Sequence, residues 1–142
     1  MTSDRRMTHN LEPRPRSKQL LWLWLGYWLG LFIVMHVPVS GLRRLSFNYA
    51  DKIIHLVLYF LLVWLGGRYF LVAGRAVSTA KLVGYAGIYG LYAAFEEWSQ
   101  QFVGRTMDLR DWLTDALGIC LATLLLALQR RSNAVPDPTR RI

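Results

Sequence analysis

The sequence predicts an all-α integral membrane protein, a bundle of four transmembrane helices joined by short loops with both termini in the cytoplasm. Three observations predict it. Hydrophobic residues make up 54% of the 142 positions and are gathered into long runs; soluble domains hold roughly 45–50%. Four such runs follow one another with short connections, which leaves no room for a separate soluble domain. The 17 Lys and Arg residues are spread unevenly between the two sides that these runs define.

The first run, residues 20–37, reads "LLWLWLGYWLGLFIVMHV", carries no charge and stops at Pro38. At a helical rise of about 1.5 Å per residue it reaches about 27 Å, close to the hydrocarbon thickness of a bilayer. A cleaved signal peptide would need a shorter apolar stretch and a small-residue cleavage site. The following "HVPVSGLRRL" offers none of the A-x-A form, so a retained helix is expected. The second run, residues 53–73, has His55 near one end and Arg68 near the other. The third, residues 82–95, is short, and continues as helix to Gln101 if its polar end lies at the interface or against protein. The fourth, residues 112–128, contains one acid, Asp115, a turn inside.

The membrane domain is therefore residues 20–128, flanked by a disordered basic tail, 1–19, and a second basic tail, 129–142. Both tails are expected to touch anionic head groups at the cytoplasmic face. His9 falls in the first tail, and His36, just before Pro38, reads as an interfacial residue. The many Trp, Tyr and Phe near the ends of the runs suit the membrane interfaces. The single cysteine, Cys120, excludes a disulfide framework and a thiol metal site, and its apolar run places it in the core.

Orientation follows from Lys and Arg. Arg5, Arg6, Arg14, Arg16 and Lys18 precede the first run, Arg68, Arg75 and Lys81 lie about the second connection, and Arg130, Arg131, Arg140 and Arg141 follow the last run. Only Arg43, Arg44, Lys52, Arg105 and Arg110 fall on the other side. The net charge of +8 thus expresses topology, and no nucleic-acid partner is expected.

Six of the nine acids, Asp51, Glu96, Glu97, Asp108, Asp111 and Asp115, fall on the extracytoplasmic side with His55. Acids contribute little to orientation, so their clustering needs its own cause. Helical spacing supplies one. Asp51, His55 and Tyr59 share a face of the second helix. Glu97 and Gln100 share a face of the third with Gly90 and Ala93, while Glu96 points elsewhere, toward solvent. Ala86, Gly90 and Ala94 form a small-xxx-small row that admits close helix approach. Asp108, Asp111, Asp115, Gly118 and Ala122 make a narrow inward seam on the fourth helix. Convergence of these stripes makes a polar pocket open to the outside. Asp115 is too deep to face lipid cheaply, since a charge at mid-bilayer costs about 2.5–3.5 kcal/mol on insertion scales. Its expected partners are Arg105, Lys52 or His55. Gly104 supplies the turn between the third and fourth helices.

The two stretches "DKIIHLVLYFLL" and "EWSQQFVGRTMDLRDWLTDALG" resemble the VanZ-like family of small bacterial membrane proteins. Asp51, Lys52, His55 and Tyr59 match its first signature. Glu97, Gln100, Arg105, Asp111 and Gly118 match its second, Asp108 fits an often polar position, and Pro38 falls where the family tends to carry proline. Two positions depart from the pattern: Asp115 replaces the usual Asn and adds a charge, and Val103 stands before Gly104 in place of Pro.

The family's founding member is associated with resistance to the glycopeptide teicoplanin. The resemblance therefore implies a role at the outer face of the bacterial cytoplasmic membrane, touching envelope precursors or lipids. The expected function is an envelope-associated binding or accessory protein in which Lys52 and Arg105 hold an anionic group and Glu97, Asp108 and Asp111 set orientation or accept from amines. Its partners would be the bilayer, a lipid head group or peptidoglycan precursor, or another membrane protein. The alternative is an intramembrane enzyme acting on a lipid-linked envelope substrate, with His55 as general base held by Asp51 or Asp111 and Glu97 as a second acid/base. Its metal-dependent variant would use His55 with carboxylates. No HExxH, nucleophile elbow or His pair supports catalysis, and neither metal nor other cofactor is expected. A third possibility is a polar network that only clips helices together.

Overall fold

The computed structural model describes residues 15–37, 48–73, 77–105 and 107–134. Pro38, Arg43, Arg44, Arg75 and most of both tails lie outside them. The described residues form α1 (Pro15–Met35), α2 (Asn48–Val72), α3 (Thr79–Ser99), a 3-10 turn (Gln100–Val103) and α4 (Leu109–Ala134), with no strand among them.

Every helix outruns its apolar stretch. α1 begins at Pro15, within the expected N-terminal tail, because proline is well suited to a first helical position where no N–H partner is needed. Ser17, in that added turn, is buried. α4 likewise continues past residue 128 to Ala134. Its Arg130 donates to the Val77 carbonyl at 2.7 Å and to Thr79 Oγ1 at 3.0 Å, fastening this end of α4 beside the start of α3. Ser78 caps α3 by accepting from the Lys81 N–H. At its other end, α3 passes through the 3-10 turn to Gly104, whose φ of 78° is the left-handed conformation glycine adopts without strain.

Three helices are long and apolar enough to cross a membrane, over Arg16–Met35, Asp51–Val72 and Leu109–Arg130. The latter two, at 22 residues each, reach about 33 Å against a hydrocarbon core of about 30 Å. α3 matches α1 in length but is less apolar, with Lys81 near one end and Glu96 and Glu97 near the other.

α1 and α3 run one way, α2 and α4 the other. α2 packs most extensively against α4, α1 leans on α2, and α3 leans on α4. Glycine makes the central pairing close. A Cβ on Gly118 would lie 2.4 Å from the Leu56 carbonyl oxygen, and one on Gly67 would meet the Leu126 side chain at 2.2 Å. The expected close approach along Ala86, Gly90 and Ala94 does not occur. Ala94 is exposed, and a Cβ on Gly90 would meet nothing within 4 Å. The reason is the stripe that α3 buries, Leu82, Tyr89, Ala93 and Glu96, which turns Ala94 outward; aromatic rings pack along the inner side. Trp28 meets Tyr92 edge-on at 5.2 Å and Tyr89 at 6.0 Å. Phe70 of α2 stacks on Tyr85 of α3 at 4.9 Å. Much of the aromatic content thus fills the interior, while Trp22, Phe95, Trp98 and Phe102 remain exposed near helix ends.

The core includes Tyr59, Leu62, Val63, Tyr89, Ala93, Ile119, Ala122 and Leu126. The outer surface carries Leu29, Ile33, Ile53, Val57, Leu91, Leu113, Leu117 and Leu124, the apolar exterior that lipid tolerates and water does not. Cys120 is exposed on α4, a correction to its expected core placement. The inward seam is set by Gly118 and Ala122, which leaves residue 120 on the opposite side.

Candidate functional site

The C-terminal ends of α1 and α3 and the N-terminal ends of α2 and α4 meet at one end of the molecule, and the polar residues meet there too. α4 supplies the hub. Asp108 caps it: its Oδ1 accepts from the Arg110 N–H at 2.8 Å, and its carbonyl accepts from the N–H of Asp111 at 3.0 Å. Glu97 of α3 accepts from the Asp108 N–H at 2.6 Å, so a carboxylate of one helix satisfies a donor at the start of another. Unpaired N–H groups at this terminus favour the negative charge of Asp108 and Asp111.

α2 brings the cations. Lys52 Nζ donates to Asp111 Oδ1 at 2.8 Å and lies 3.8 Å from Asp108 Oδ2. One turn deeper, His55 Nδ1 pairs with Asp115 Oδ1 at 3.0 Å, and each residue is 2% exposed. Of the partners expected for Asp115, His55 is the one it takes. A carboxylate can only accept, so the neutral ring carries its hydrogen on Nδ1. Below this pair, the Tyr59 hydroxyl donates to Glu96 Oε2, and the Tyr92 hydroxyl lies 3.4 Å from Glu96 Oε1.

The expected stripes on α2 and α4 are thus present, from His55 and Tyr59 on one helix and from Asp111 to Ala122 on the other. Asp51 is at the exposed rim. Two expectations require correction. Glu96 is not solvated; it is 1% exposed and forms the floor of the network. The signal was present in the spacing, since Tyr89, Ala93, Glu96 and Gln100 recur at 4, 3 and 4 residues and all are buried. Arg105 does not reach Asp115. It donates from Nη1 to the Met35 carbonyl at 3.1 Å, tying the end of α1 to the loop before α4. Gln100 is buried, and its carbonyl accepts from the Arg105 N–H at 3.2 Å.

His36, expected to be merely interfacial, joins two helix ends. Its Nδ1 donates to the Phe32 carbonyl at 2.8 Å, and its Nε2 lies 2.8 Å from the Ser99 hydroxyl. The Ser99 Oγ in turn is 2.8 Å from the Glu96 carbonyl.

The arrangement is closed more than cup-shaped. His55, Glu96, Glu97, Gln100, Asp111 and Asp115 are buried against one another. The rim consists of Asp51, with Lys52 and Asp108 at side-chain exposures of 29% and 46%. One ring nitrogen of His55 and one oxygen from each of Asp51 and Asp111 lie within 4.8 Å of one another, a spacing suited to a metal ion. Comparison of the chain with protein-family models, curated proteins and solved structures finds no match. Fold and site together describe an all-helical chain, membrane-associated through three apolar helices, with an acidic network at one end.

Proposed function

We propose that this chain is a VanZ-like, four-span protein of the bacterial cytoplasmic membrane that acts as an envelope-associated binding or accessory protein. Both termini face the cytoplasm, and the acidic network is the binding end at the outer face. α3 serves as the fourth span despite its lower hydropathy, because its two glutamates are buried against protein and never meet lipid.

The observation that carries this function is the joining of helix ends by an ion pair, Lys52 with Asp111, and by hydrogen bonds to carboxylates, His55 with Asp115 and the Asp108 N–H with Glu97. Burying so many ionisable groups is costly unless they are paired. Three helices therefore hold a polar site in one place. Of the two contacts expected of the ligand, the one to an amine is the better supported. Lys52 is engaged by two aspartates, whereas Arg105 gives one of its several donors to the Met35 carbonyl and keeps its charge. The exposed rim is acidic and suits a positively charged group, such as the amine of a lipid head group or of a peptidoglycan precursor.

Lipid extraction and mass spectrometry of the purified full chain test this function. An amine-bearing envelope lipid or precursor is expected with wild type and is lost from Asp51→Lys, whose charge is reversed at the rim. Identical lipid profiles for the two would contradict it. The buried His55–Asp115 pair, a base with its orienting acid, favours one second function, an intramembrane acid–base enzyme. Turnover of such a bound lipid by wild type, abolished in His55→Gln, would select it.

A further inference from the structure

Five carboxylates, from Asp51, Glu97, Asp108, Asp111 and Asp115, gather where α2, α3 and α4 meet, and one ammonium, that of Lys52, stands among them. Negative charge gathered this closely favours a further cation. His55 indicates its kind. The ring is almost wholly buried, and Nδ1 is held by Asp115, which leaves the lone pair on Nε2. Among the described residues, Nδ1 is the His55 ring nitrogen engaged in a hydrogen bond. A carboxylate fixing one ring nitrogen while the other is presented to a ligand is the usual support of a metal-binding histidine.

We propose that Asp51, His55 and Asp111 bind a divalent transition-metal ion, with His55 contributing Nε2 and Asp115 orienting the ring. This goes beyond the binding function proposed above and rests on the same acidic rim. The donor set of one imidazole and two carboxylates suits Mn²⁺ or Zn²⁺ better than Mg²⁺, which prefers oxygen ligands alone. Ligand atoms around one ion, each at about 2.0–2.2 Å, stand about 3–4 Å apart. The present limit of 4.8 Å is closed by small side-chain rotations, the exposed Asp51 having the most freedom. Lys52 is the built-in competitor, because its ammonium now occupies Asp111 Oδ1. Asp51 at the rim leaves the outward side of the ion open to solvent.

The test is titration of the purified full chain, in nanodiscs of zwitterionic lipid, with Mn²⁺ followed by electron paramagnetic resonance, and with Zn²⁺ as competitor. One Mn²⁺ per chain is expected in wild type, displaced by Zn²⁺ and not by equimolar Mg²⁺. Asp51→Asn weakens binding by more than tenfold, Asp115→Asn by about 10–100-fold as the ring loses its support, and Lys52→Met strengthens it. Equal affinity in wild type and Asp51→Asn overturns the proposal, as does weaker binding in a Lys52→Met protein that retains its helix content. Asp51 is exposed, so its variant decides the matter even where deeper variants fail to fold. Loss of the metal site with an Asp51-dependent lipid still bound removes this inference alone; a metal site without any bound lipid removes the other.

Discussion

A buried carboxyl group stays in place through its partners, and Glu96 has two, the hydroxyls of Tyr59 and Tyr92. They are unequal. Tyr59 is fully buried and makes the close contact, whereas the Tyr92 hydroxyl stands at 3.4 Å. Tyr59→Phe is therefore expected to destabilise the protein by about 1–3 kcal/mol, the cost of leaving a buried acceptor short of its donor. Tyr92→Phe should cost less. Unfolding by SDS titration in micelles compares them, and equal losses would show that Glu96 is held some other way. At this scale the sequence was informative about chemistry and poor about partners. The i, i+4, i+8 spacing brought out Asp51, His55 and Tyr59, but nothing local told Asp115 to choose His55 over Arg105. Glu96 was missed because two adjacent acids cannot both lie on one stripe, and the stripe drawn through Glu97 left it outside. Both are buried because Glu97 turns to α4 and Glu96 to α2.

Helix pairing turns on where backbones touch. Gly118 lies against the Leu56 carbonyl, so a methyl group there forces α2 and α4 apart through their backbones, which cannot give as a side chain can. Gly118→Ala is expected to cost at least about 1–3 kcal/mol, the range for overpacking. Gly90→Ala meets no atom and should be neutral or slightly stabilising, since alanine favours helix over glycine. The same titration reads both, and a larger loss at Gly90 would reverse the assigned packing. The helical class, and three helices long and apolar enough to cross a membrane, were legible in the apolar runs, since length and lack of charge determine them. Their ends were not. Polar and basic residues at 15–19 and 129–134 remain helical through backbone bonds and contacts such as that of Arg130, which hydropathy does not register. The interface was also misplaced. Small residues at fixed spacing permit close approach, but the stripe through Leu82, Tyr89, Ala93 and Glu96 is the one α3 buries.

Across the whole molecule, polarity is sorted by end. Acids, His55 and Lys52 meet at one end, the aromatic and aliphatic core fills the middle, and Arg130 closes the other. The α2–α4 pairing sets this order, since Lys52 with Asp111, His55 with Asp115 and Gly67 with Leu126 all follow one register along two parallel helices. The most direct measurement is a double-mutant cycle on His55→Ala and Asp115→Ala, read by SDS unfolding of the full chain. Each single change leaves a buried group without its partner and should cost about 3–5 kcal/mol. The double variant should lose clearly less than the two losses combined, with a coupling above about 1 kcal/mol. Losses that add to within about 0.5 kcal/mol would mean that these side chains do not meet, and that the helix ends do not converge on one site.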